Sequence, residues 1–204
     1  MKRPTMKLLI AVAGAALVLF GAAKLLGNSV TPHLYTGTVL QDSSPAPALD
    51  ELVDADGAAI DLSANAGELT LLYFGFTNCP DVCPTALADA ATALSGLSDS
   101  ERERVNLLMV TVDPARDVQP ELQNYVEFFD PTFTSATGSR EAIDRAAASY
   151  GIFYEMGPGT VETGYTVDHT ATMLGIDGSG SLRVVWPPSI TPNQLQDDIK
   201  ELLK

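Results

Sequence analysis

The chain has 204 residues, 46% of them hydrophobic, which is enough for one ordinary domain plus an appendage. Of its 12 basic residues, Lys2, Arg3, Lys7 and Lys24 precede Asn28, and the first acid is Asp42, so the remainder carries 8 basic against 26 acidic groups. That balance argues against a nucleic-acid partner, which needs clustered Lys and Arg, and two cysteines are too few for a disulfide framework.

In chain order, Leu8 to Ala23 (LLIAVAGAALVLFGAA) is a run of sixteen uncharged apolar or glycine residues behind a basic start. A membrane helix needs roughly 20 such residues. Lys24 can snorkel to the interface, so that Leu25, Leu26 and Gly27 complete a span over residues 8–27. The basic flank predicts an amino terminus in the cytoplasm and the rest outside. A signal peptide cut after Ala23 is the alternative. Either reading puts the remaining chain in an oxidising, extracytoplasmic space.

Residues 28–48 read as a tether followed by a first strand, and residues 49–204 as the folded domain. Leu49 to Leu62 alternates around Asp56-Gly57 and predicts a small hairpin. Leu69 to Phe76 (LTLLYFGF) and Val105 to Val112 (VNLLMVTV) are short apolar runs expected as buried central strands. Between them Leu87, Ala90, Ala91, Leu94 and Leu97 recur at helical spacing. Gln119 to Phe129 and Arg140 to Tyr150 read as two more helices, and FDPTFTSATG between them as a loop or short strand. Ala171 to Ile176 and Leu182 to Trp186 form a late hairpin around DGSG, and Thr191-Pro192 opens a closing helix. This order predicts an α/β fold, a central sheet covered by helices on both faces, in the thioredoxin arrangement.

The two cysteines, Cys79 and Cys83, lie in FGFTNCPDVCPTAL, where the first buried strand hands over to its helix. Reactive groups of α/β sheets gather at that end of a strand. Residues i and i+4 on a helix are roughly 6 Å apart between α-carbons, within disulfide reach. Pro84 suits a first helical turn, which places Cys83 at or just before the helix start, where free N–H groups favour a thiolate. The pair therefore reads as a redox couple or as ligands for a soft ion. A staple is disfavoured, because so small a ring removes little chain entropy.

A metal needs more than two ligands, and the chain has two histidines. His33 falls in the tether and reads as an exposed loop residue. His169 lies beside Asp168 in a loop at the start of the late hairpin, and Asp168 could orient its imidazole. Met173 reads as core and Met156, before Gly157-Pro158-Gly159, as loop; neither is assigned to the site.

Three segments in order, FGFTNCPDVCP, TVDPARD (Thr111 to Asp117) and YTVDHTATMLGIDGSG (Tyr165 to Gly180), closely resemble the Sco/SenC family of thioredoxin-like copper proteins of cytochrome c oxidase assembly. The resemblance covers about Tyr35 to Leu203. It implies a copper site, Cu+ or Cu2+, made by Cys79, Cys83 and His169. It also implies a membrane-tethered metallochaperone for the dinuclear copper centre of oxidase subunit II or a related copper protein. Reduction of that centre's cysteines, or those of another extracytoplasmic partner, by the Cys79–Cys83 pair is the alternative function. Asp113 and Asp117 match the family's aspartates, as support for the site or as a strand-end turn. Many members carry histidine where this chain has Asn78, which removes a titratable group beside the thiols.

Overall fold

A run of seven buried residues, Leu69–Gly75, forms β4, the strand around which the sheet is built. Its unbroken burial, without alternation, follows from cover on both faces. The computed structural model describes residues 34–40, 45–62 and 69–204. The apolar segment at residues 8–27, its anchor or signal reading, and His33 lie outside the described residues. Among the described residues, no helix is long and apolar enough to cross a membrane.

The other strands are β1 (Thr38–Val39), β2 (Leu49–Val53), β3 (Ala59–Ile60), β5 (Val105–Thr111), β6 (Thr134–Ala136), β7 (Tyr154–Met156), β8 (Val167–His169), β9 (Met173–Ile176) and β10 (Leu182–Trp186). The helices are α1 (Val82–Ser95), the short α2 (Asp99–Arg102), α3 (Glu121–Glu127), α4 (Arg140–Ser149) and α5 (Pro192–Leu202). A six-stranded mixed sheet runs β1-β10-β9-β4-β5-β6, while β2–β3 and β7–β8 form two separate hairpins. Strands β4, β5 and β6 are parallel, and β9 is antiparallel to β4 with Tyr73 opposite Met173.

Right-handed crossovers put α1 and α3 on one face of the parallel strands, and α5 packs beside α1. The opposite face carries α4 and β2, and there Phe74 meets Tyr150 at 5.8 Å between ring centroids. Tyr73, one residue earlier on β4, points the other way, toward α1. Helix starts follow their caps. Ser139 accepts from the Ala142 N–H at α4, and Thr191 and Gln194 form a capping box with Pro192 at the first position of α5.

The structure corrects three local readings. The segments YEM and VDH pair as the hairpin β7–β8, so Met156 is a strand residue and His169 ends a strand. Three-residue strands around a ten-residue Gly- and Pro-containing connection leave no period to read. Helix α3 is shorter than Gln119–Phe129, and α1 begins at Val82, so Cys83 is its second residue.

The first strand is tied to the last helix by the buried carboxylate of Asp198. It accepts from the Thr36 and Gly37 N–H groups, each at 3.0 Å, and from Trp186 Nε1 at 2.9 Å. Asp198→Ala strands those donors and is expected to lower the unfolding free energy by about 3 kcal/mol, measured by urea denaturation of the folded domain.

Candidate metal centre

The centre is assembled from the carboxyl end of β4, the start of α1 and the end of β8. After β4 the chain turns through Thr77 and Asn78, and the Cys79 N–H bonds back to the Phe76 carbonyl at 3.3 Å. Helix α1 then starts with no side-chain cap from Asp81. The acceptor for an early helical N–H is sulfur instead, since Cys83 N–H donates to Cys79 Sγ at 3.3 Å. Cys79 thus occupies the place of a capping group, where the helix start favours negative charge.

Cys83 is buried against β4 beneath Gly75. A Cβ built on Gly75 would lie 3.1 Å from Cys83 Sγ and 2.8 Å from Tyr73 Cε1, so the glycine is what lets sulfur and strand approach. His169 arrives from β8, in register with Tyr154. Its Nε2 lies 3.2 Å from Cys83 Sγ, and its Nδ1 lies 3.2 Å from the Thr170 carbonyl oxygen. With the ring proton assigned to that Nδ1–H···O bond, Nε2 presents its lone pair to the sulfur. The imidazole is held edge-on by Phe76 at 5.7 Å and Tyr73 at 6.2 Å between centroids.

Both cysteines are free thiols. The two sulfurs and a ring nitrogen of His169 all lie within 4.8 Å of one another. Two thiolates and one neutral imidazole suit a soft, low-coordinate cation, and that donor set fits copper better than a hard ion. Burial pushes the Cys83 thiol up to about 12, with the Phe76 N–H pulling the other way. Burial also lowers the His169 pKa, which keeps the imidazole neutral and able to donate its lone pair. The expected thiolate at Cys83 is therefore corrected. Its place inside the first turn takes it out of water, and desolvation outweighs the helix start. Cys79, 8% exposed against 0% for Cys83, is the outward member of the pair.

The two aspartates of TVDPARD have separate tasks. Asp117 accepts from Thr77 N–H at 3.0 Å, Thr77 Oγ1 at 2.5 Å and Thr111 Oγ1 at 2.6 Å. It thereby clamps the turn that carries Cys79, and burial raises its pKa. Asp113 accepts from Tyr165 OH at 2.5 Å and pairs with Arg116. Arg116 in turn donates to the Tyr165 carbonyl at 3.0 Å and stacks 3.8 Å above the Tyr165 ring. Both aspartates thus bear on the site through other residues and touch no ligand atom. Asp168 is exposed and acts on His169 only weakly, through its charge. Asn78 is exposed and accepts from Thr77 Oγ1 at 3.1 Å. Tyr73, Gly75, Phe76 and Thr77 escaped the sequence reading as site residues, although every second position of LTLLYFGF faces α1.

A SCO1/SenC family model matches residues 49–204. Human mitochondrial SCO1 homolog is 38% identical over 120 residues, 55% of this chain and 38% of that protein, so the match spans well under half of the relative's length. The solution structure of apo Sco1 from Thermus thermophilus superposes with a TM-score of 0.73 at 33% identity, covering 84% of this chain and 99% of that one. Copper-bound ScoI from Bradyrhizobium japonicum gives 0.67 at 31% identity, covering 78% and 98%.

The unequal burial of the thiols has a direct readout. In the reduced, metal-free protein at pH 8, iodoacetamide should modify Cys79 at least about tenfold faster than Cys83. Because the Cys83 pKa is raised, its thiolate fraction and rate should climb with pH until near 12. Peptide mass mapping checks this, and equal rates would contradict it.

Proposed function

The chain belongs to the SCO1/SenC family, and from that premise we propose that it is a copper metallochaperone. It would deliver copper to the dinuclear centre of cytochrome c oxidase subunit II or a related copper protein. The observation that carries this reading is the convergence of Cys79, Cys83 and His169 within 4.8 Å. The likeness to a copper-bound ScoI supports it. Copper here is cargo, so the site must both take it and yield it.

Loading costs Cys83 its proton, because a thiol of such high pKa is protonated at neutral pH and only the thiolate ligates. His169 brings a neutral nitrogen already aimed at the sulfur. Cys79, at the outer side, is the ligand an acceptor protein reaches first, so transfer proceeds by ligand exchange at that sulfur. The domain would work outside the cytoplasmic membrane, on the periplasmic or extracytoplasmic side, single-pass and tethered by residues 8–27. Residues 28–48 would serve as linker and first strand ahead of the copper-binding domain at 49–204.

A second reading rests on the Cys83 N–H that supports negative charge on Cys79. Cys79 thiolate attacks a partner disulfide and forms a mixed disulfide. Cys83 then displaces the partner's sulfur, leaving a Cys79–Cys83 disulfide and a reduced partner dithiol. The same oxidation would end copper binding, so the two activities exclude each other at any instant.

One variant separates them. His169→Ala is expected to weaken copper(I) binding by more than about 100-fold, since even partners that only orient a ligand are worth 10–100-fold. Reduction of a disulfide in a subunit II copper domain should persist in that variant. Unchanged copper affinity by competition titration would contradict the metal assignment.

A further inference from the structure

The Tyr73 hydroxyl is one of a few buried side-chain polar atoms with no hydrogen-bond partner among the described residues. Its side chain is fully buried, on the α1 side of β4. An orphaned phenol in a well-packed core calls for an explanation, because burial without a partner is unfavourable. Burial first, then the Cys83 and Cys79 sulfurs and Tyr125, push the pKa of this hydroxyl up. The ring edge and Cys83 Sγ flank the same point above Gly75, at 2.8 and 3.1 Å. The ring also packs edge-on against His169.

The Cys83 sulfur faces His169 Nε2 at 3.2 Å and, as a neutral thiol, is a weak acceptor. When a metal takes the place of the proton, the sulfur becomes an anion with lone pairs to spare. We propose that Tyr73 then donates its O–H to Cys83 Sγ, acting as a positioning and tuning residue for the bound metal. This inference rests on the copper reading above. The charge-assisted bond withdraws electron density from the thiolate. A weaker sulfur donor favours copper(I) over copper(II) and raises the reduction potential, as hydrogen bonds to ligand sulfur do elsewhere. The hydroxyl that lacks a partner here thus gains a charge-assisted one when the metal is bound, and that gain favours the loaded state.

Tyr73→Phe keeps the ring and removes only the donor. In the full chain loaded with one copper, the variant should show a lower copper(II)/copper(I) potential. Its sulfur-to-copper(II) charge-transfer band should move to longer wavelength. Without metal it should melt no lower than the unmodified protein, since it loses no hydrogen bond. An unchanged potential and band at full loading would overturn the role of Tyr73 and leave the copper reading standing. Failure of the unmodified protein to take up copper would overturn both. Should the variant not fold, tyrosine labelled with carbon-13 at Cζ gives the same answer in the unmodified protein. The Tyr73 signal should move when copper(I) is added, and a signal that stays put would overturn the proposal.

Discussion

The antiparallel register of β9 on β4, Tyr73 opposite Met173, is the constraint on which the metal centre depends. The cysteine turn leaves from the end of β4, and His169 lies four residues ahead of Met173, at the end of the β7–β8 hairpin. With this pairing fixed, chain segments 86 residues apart meet at 3.2 Å between Cys83 Sγ and His169 Nε2. A slip of one residue would turn the alternating side chains of β9 to the opposite face and move the imidazole off the sulfur. The parallel β4–β5 pairing does the equivalent for TVDPARD, because Gly75 lies opposite Thr111 and brings Asp117 level with Thr77.

The three segments that mark the sequence are joined pairwise in space. Thr77 and Asp117 join the first to the second, Asp113 and Tyr165 join the second to the third, and Cys83 and His169 close the loop. Two of these links are buried carboxylates, which are costly to desolvate and tolerable only when fully hydrogen-bonded or paired. Asp113 has a cation in Arg116, whereas Asp117 relies on hydroxyl and amide donors and has its pKa raised by burial. The third link alone is built from groups that can bind a soft ion. The aspartates hold the frame, and the sulfur–imidazole edge is where chemistry can occur.

Within that frame the thiols are unlike each other. Cys79 caps the helix from outside, and Cys83 sits in its first turn against the strand. From the sequence, Cys83 is expected at or just before the helix start, as the member favoured to be a thiolate. Helix dipole and desolvation compete at a helix start, and which one wins depends on depth, a quantity the local sequence does not carry. For the same reason Tyr73 passed as core. Its position on the α1 face follows from strand periodicity, but the missing partner for its hydroxyl becomes visible only with neighbours in place. The long apolar runs, the DGSG hairpin and the Thr191 cap were legible because each is a local signal of adequate length. The β7–β8 hairpin was not, since its strands are three residues each and their pairing is held by tertiary contacts. His169 was found as a candidate from its motif, and its strand setting came only with the fold.

The most direct test of the account is X-ray absorption spectroscopy of the protein loaded with one copper(I). The proposed copper reading, resting on the proximity of Cys79, Cys83 and His169, requires a three-coordinate site with two sulfurs and one imidazole nitrogen. A two-coordinate site of sulfurs alone, or a nitrogen contribution that survives in His169→Ala, would contradict it.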